Sequence, residues 1–179
     1  CKITMADGSK NPIKNLKKGD SILSIDENNN LVTANVVTIV ETLISTKLRE
    51  MVHLENGLII TPWHPIKLNN EWVFPNNIVI PTTTSCDSMI TLVLDNYHIG
   101  FINETPCIML GHNFKESILD HPYYGTSNVI EDLKKNYGYA MGHVVLKDNE
   151  LSFVKENNVT KKMIITSNVR SCATLVKSF

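Results

Sequence analysis

LENGLIITPWHP, residues 54–65, is the stretch that decides how this chain is read. Asn56-Gly57 stands between two apolar runs, and Asn-Gly there favours a tight hairpin turn because both central residues must take positive φ. Residues 49–55 and 58–61 are therefore read as paired strands. The second strand runs directly into Thr61-Pro62-Trp63-His64. A hydroxyl and an imidazole three residues apart at a strand end can face one locus. An imidazole placed there supplies general acid–base catalysis, typically ~10²–10⁴-fold. Hydroxyl and backbone N–H groups can hold developing negative charge.

Outward from this hairpin, short apolar runs alternate with turn signals at intervals of roughly 8–12 residues, the habit of β folds. Asp7-Gly8 and Gly19-Asp20 mark turns, and residues 21–26 and 31–40 flank Glu27-Asn28-Asn29-Asn30 as a second hairpin. Further strands are expected at 71–74, 89–95, 99–103 and 107–110. The pattern changes after residue 113. Val129, Ile130 and Leu133 fall at helical spacing within 127–137, with Ser127 as cap and Gly138 as terminator. Residues 142–147 and 151–155 read as a hairpin around Asp148-Asn149, and 163–166 as one more strand. The expectation is a mainly β domain over residues 1–113. An α+β extension over 114–179, with one helix and a β-hairpin, packs on it.

Composition excludes several classes. The chain has 179 residues, enough for a core without disulfide staples. Net charge is −1, from 17 basic and 18 acidic residues, and no basic run of five appears, so neither nucleic acid nor a membrane is an expected partner. No apolar run reaches the roughly 18–20 residues of a membrane-spanning helix. Cys1, Cys86, Cys107 and Cys172 form no CxxC pair. They read as reduced thiols, which suits a cytoplasmic or otherwise intracellular protein. A chain opening on Cys is expected to be a fragment or a processed product.

A cysteine at that position has specific chemistry. In a precursor its thiol reaches the carbonyl carbon of the preceding residue; attack and loss of the amide nitrogen leave a thioester. An amide is more stable than a thioester, so the fold must assist the leaving nitrogen and the oxyanion. With Cys1 stand three blocks in order: ITMADGSKNPIKNLKKGDSILSID (3–26), LIITPWHPIKLNNEWV (58–73) and LDNYHIGFINETPCIMLGHN (94–113). Together they resemble the Hint (hedgehog/intein) domains. The tail motif HPYYGT (121–126), read with LGHNF and VIEDL, resembles the extension of Hint domains in von Willebrand A-domain–Hint proteins.

The resemblance implies a flattened, horseshoe-like β disc with pseudo-twofold symmetry. It implies Cys1 as nucleophile, with Thr61 and His64 assisting the acyl shift. His98 is a candidate for the second step, and Glu41, on the strand that carries an acid in hedgehog-like members, a candidate to activate the acceptor. Cys107, His112 and Asn113 are supporting candidates. Phe114 follows Asn113 and carries no nucleophile, so full splicing is not expected. The expected activity is single-turnover cleavage upstream of Cys1, resolved by water, a thiol, an amine or another protein, with the linked upstream segment as partner. Two rivals stand beside it: a degenerate Hint fold acting as an interaction module, and a cysteine hydrolase acting in trans through Cys107. Tyr123 and Tyr124 are expected to pack on the β portion. No cofactor is implied. Cys107, His112, His121 and Cys86 or His143 are the residues that could gather as zinc ligands, but they lack the tight paired spacing of structural sites.

Overall fold

The computed structural model describes residues 1–165. Its strands are β1 (Lys2–Thr4), β2 (Lys10–Pro12), β3 (Ser21–Ile25), β4 (Leu31–Leu43), β5 (Leu48–His53), β6 (Ile59–Ile60), β7 (Ile66–Leu68), β8 (Glu71–Val73), β9 (Thr82–Ser85), β10 (Ser88–Leu94), β11 (Ile99–Ile102) and β12 (Thr105–Ile108). Then follow helices α1 (Ser127–Lys134) and α2 (Tyr137–Met141), and strands β13 (His143–Lys147), β14 (Leu151–Glu156) and β15 (Val159–Ile165). The protein is mainly β, with a small helical region near its C-terminal end. Among the described residues no helix is long and apolar enough to cross a membrane.

One sheet positions most of the candidate residues. Its strands run β2-β1-β11-β12-β7-β8. β1 begins one residue after Cys1, β11 one after His98 and β7 two after His64; β12 ends four before His112. Ile3 faces Ile102 and Cys107 faces Ile66 across this sheet. Ile3, Ile66 and Cys107 are fully buried in the largest core cluster, so burial of one apolar face fixes the register. A three-stranded sheet, β6-β5-β9, carries the Asn56-Gly57 hairpin.

The 13-residue β4 organises the other half. β3 pairs with its first part, β10 antiparallel with its second, and β13 parallel along 39–43. The expected hairpin of 142–147 with 151–155 does not form. Val144 and Leu146 are buried while His143, Val145 and Lys147 are exposed, and this alternation seats β13 on the edge of β4. The Asp148 carboxylate accepts the Ser45 N–H at 2.9 Å, holding the break, and β14 turns away to pair with β15. Thr166, the end of the expected last strand, and Cys172 lie outside the described residues.

The expected single helix is two. Thr126, not Ser127, caps α1. The Asn136 side chain caps α2 by accepting the Gly138 N–H at 2.8 Å. Gly138, read as a terminator, sits inside α2, where an added Cβ would lie 2.1 Å from the His143 carbonyl oxygen. The terminator is Gly142, at φ 88°. Propensity marked the segment as helical, but a cap and a close approach divide it. A second core cluster joins Val40 and Val93 of β4 and β10 to Tyr123, Val129, Leu133, Val144, Leu146 and Met163.

Candidate functional site

Cys1 is exposed, with its backbone held by the sheet edge. Its carbonyl accepts the Ile13 N–H at 3.2 Å. Its Sγ donates to the Ile59 carbonyl at 3.7 Å and accepts the Ile59 N–H at 3.5 Å. Ile59 opens β6, two residues before Thr61. The sulfur is therefore aimed at the strand that delivers the Thr61–His64 segment.

That segment is one turn. The His64 N–H donates to the Thr61 carbonyl at 3.2 Å, making Thr61 and His64 the outer residues of a four-residue β-turn, with Cα atoms within about 7 Å by the geometry of such turns. The half-buried His64 ring has Nε2 2.7 Å from the Ile108 carbonyl oxygen. A carbonyl only accepts, so Nε2 carries the proton and Nδ1 is left free. Burial lowers the imidazole pKa more than the Ile108 carbonyl raises it, so the ring is neutral near pH 7.

His98 sits in the β10–β11 turn at φ 51°, after Tyr97 at φ 54°. Left-handed backbone in successive non-glycine residues costs energy and persists where the surroundings fix it. Its carbonyl accepts the Met109 N–H at 2.8 Å. Its Nδ1 is buried without a hydrogen-bond partner, an orphan that a reacting group would satisfy. Burial lowers its pKa, against an opposing pull from Asp95.

His112 is buried, and its Nδ1 accepts the Phe114 N–H at 3.0 Å. Its pKa is pushed down to about 4, first by burial, then by the neighbouring His98, with smaller repulsion from His121 and His64 and an opposing pull from Asp120. The fold thus brings His64, His98 and His121 each within electrostatic reach of His112.

The tail motif closes over this group. The carbonyls of Tyr124 and Gly125 accept the N–H groups of Gly111, at 2.9 Å, and Asn113, at 2.6 Å. His121 Nδ1 accepts the N–H groups of Tyr123 and Tyr124, both at 3.1 Å. The His112 ring lies against Gly125, where an added Cβ would be 3.0 Å from Cε1. Tyr123 is fully buried, and its hydroxyl donates to Asp132 at 3.1 Å; Tyr124 stays partly exposed. Asn113 is exposed at φ 60°, and its side-chain Nδ2 donates to the Gly111 carbonyl at 3.3 Å.

The remaining two candidates are Glu41 and Cys107. The Glu41 carboxylate, on β4 between Ile90 and Val145, is 3.2 Å from His143 Nε2. Cys107 is fully buried in the main core, its thiol pushed up to about 12 by burial, which suppresses the thiolate. Cys1, Cys86 and Cys107 are free thiols. Among the described residues no group of three or more His, Cys, Asp or Glu side chains gathers to hold a metal. Sequence reading missed Asn103, whose Oδ1 accepts the Lys2 N–H at 2.7 Å beside Cys1. Its only signal was an Asn at a probable turn.

Residues 1–164 match the family model described as Vint: Hint-domain. Among solved structures, a DnaB intein from Synechocystis is 18% identical, with 60% of this chain and 93% of that chain covered and a TM-score of 0.48. A bacterial intein-like domain from Clostridium thermocellum is 18% identical, with 60% and 93% covered and a TM-score of 0.45. No curated protein matches the chain.

Proposed function

This chain belongs to the Hint-domain family, whose members are self-processing domains, and from that premise we propose that it cleaves the peptide bond upstream of Cys1 by an N–S acyl shift. The observation that carries the proposal is the Cys1 sulfur on the Ile59 backbone, two residues before a turn that presents Thr61 and a neutral, single-tautomer His64.

The steps follow from these groups. His64 Nδ1, free because Nε2 is committed to Ile108, takes the Cys1 thiol proton. The sulfur adds to the carbonyl carbon of the preceding residue. The tetrahedral oxyanion is held by backbone N–H groups and the Thr61 hydroxyl. The C–N bond breaks as His64 returns its proton to the nitrogen, leaving a thioester on Cys1 Sγ and a free Cys1 amine. A low imidazole pKa suits both halves of this transfer: the ring accepts as a neutral base and, once protonated, is a competent acid.

Water, a thiol, an amine or another protein's nucleophile then attacks the thioester carbon. The C–S bond breaks, the Cys1 thiol is regenerated and the upstream segment leaves on the acceptor. His98, with its orphan Nδ1, is the group we assign to this step. His112 and Asn113 support the site through their ties to Phe114, Gly111 and the tail motif. Glu41, joined to His143, and Cys107, buried in the core, take no part in this mechanism.

The test is a precursor with about ten residues ahead of Cys1, followed by mass spectrometry with and without dithiothreitol. Wild type is expected to release the upstream segment faster with thiol present. Cys1→Ala is expected to stay whole. A wild-type precursor as inert as Cys1→Ala would replace this proposal with a Hint fold kept for binding alone.

A further inference from the structure

We infer that Asn103 is a positioning residue for the Cys1 nucleophile, with Asn56 as its brace; the inference rests on the acyl-shift reading above. Two turns far apart in sequence meet beside Cys1. One joins β5 to β6 through Asn56-Gly57. The other joins β11 to β12 through Asn103-Glu104, at φ 45° and 68°. Asn56 Nδ2 donates to the Asn103 carbonyl and to Thr105 Oγ1, both at 2.7 Å. Asn103 Nδ2 donates back to the Asn56 carbonyl at 3.2 Å.

This exchange fixes the Asn103 amide plane and turns its Oδ1 toward the chain start, where it accepts the Lys2 N–H at 2.7 Å. The Asn103 N–H in turn donates to the Lys2 carbonyl at 2.8 Å. The Lys2 N–H and the Cys1 carbonyl belong to one planar peptide. With that carbonyl accepting the Ile13 N–H at 3.2 Å, the plane is held at both polar atoms. What remains free at Cys1 is rotation about its Cα–C and Cα–Cβ bonds, which together place Sγ. The sulfur meets the Ile59 backbone, and Ile59 lies two residues past Gly57 in the other turn. One amide pair therefore ties together the nucleophile and the strand leading to Thr61 and His64.

A hairpin turn needs only the left-handed backbone that asparagine tolerates. The side-chain bonds are additional, and they converge on the reacting residue. The two asparagines also line a shallow pocket with Cys1, Lys2, Lys10 and Glu104. Displacing a reacting atom by about 1 Å costs on the order of 10²-fold in rate, so aim is a sufficient function for such a tie.

The experiment uses the same precursor across a range of dithiothreitol concentrations, with Lys2 amide exchange followed by NMR. Asn103→Leu removes the acceptor. It is expected to lower the maximal cleavage rate about 100-fold, leave the half-saturating thiol concentration unchanged, and speed Lys2 exchange while Leu92 stays protected. Asn103→Asp keeps an oxygen for Lys2 and is expected to recover at least tenfold of the loss. Should Asn103→Leu fail to fold, Asn56→Ala carries the test: it removes the brace and is expected to cost about tenfold. The inference is overturned by a rate within twofold of wild type in Asn103→Leu (or in Asn56→Ala, if that variant carries the test), by Asn103→Asp no faster than Asn103→Leu, or by unchanged Lys2 exchange. A wild-type precursor inert to thiol sinks the acyl-shift reading instead, and Lys2 exchange still judges the tie to Asn103.

Discussion

At the scale of single residues, the proposed chemistry turns on which nitrogen of His64 is free. His64→Ala is expected to slow thiol-dependent cleavage about 100-fold or more. A loss of only twofold would make His64 a packing residue. The pH dependence has a definite sign. The ring must be neutral to accept the thiol proton, and burial lowers its pKa from the ordinary 6.5. At saturating thiol, where the acyl shift limits, the rate should therefore hold as pH falls to 6.5 and decline only below it; an acid limb at or above 6.5 under that condition would contradict the assignment. The turn joining Thr61 to His64 was legible because its hydrogen bond spans three residues. Asn103 was not, because its bond to Lys2 spans 101 positions and a sequence carries no signal for such a meeting. Glu41 was chosen by its place on a strand, which gives no information about the histidine that β13 brings across from position 143.

At the scale of elements, the tail motif acts as a clasp on the segment around His112. Gly125 is a close approach within it. A Cβ there would lie 2.9 Å from the His121 carbonyl oxygen and 3.0 Å from the His112 ring. Neither neighbour has room, since His121 accepts two N–H groups and the His112 ring holds the Phe114 N–H. Gly125→Ala is expected to cost about 1–3 kcal/mol, as overpacking does. Urea denaturation checks this; a change below 0.5 kcal/mol on the order of surface substitutions would show that the clasp yields. Strand existence was readable from alternation, as in β13, and so were the local hairpins β3–β4 and β5–β6, but the distant partner of β13 was not. Asp148-Asn149 resembles a hairpin turn, and the competing partner, β4, lies about 100 positions upstream.

At the scale of the whole molecule, the division after residue 113 expected from the pattern change meets a shared core. Val40 and Val93 pack with Tyr123, Val144 and Leu146, and β13 completes the sheet built on β4. A chain of residues 1–113 is expected to lose cooperative unfolding, whereas the full chain should melt in one transition by both tryptophan fluorescence and far-ultraviolet circular dichroism. A well-folded 1–113 fragment would show that residues 1–113 fold without the extension packed on them. Ile3 pairs with Ile102, and this pairing has a temporal meaning. During synthesis β1 can meet β2 at once, but its other neighbour, β11, is missing until about a hundred further residues have been joined. At about 5–20 residues per second that is a wait on the order of ten seconds. A nascent chain that cleaves as proposed would thus keep its blades apart until β11 had left the ribosome.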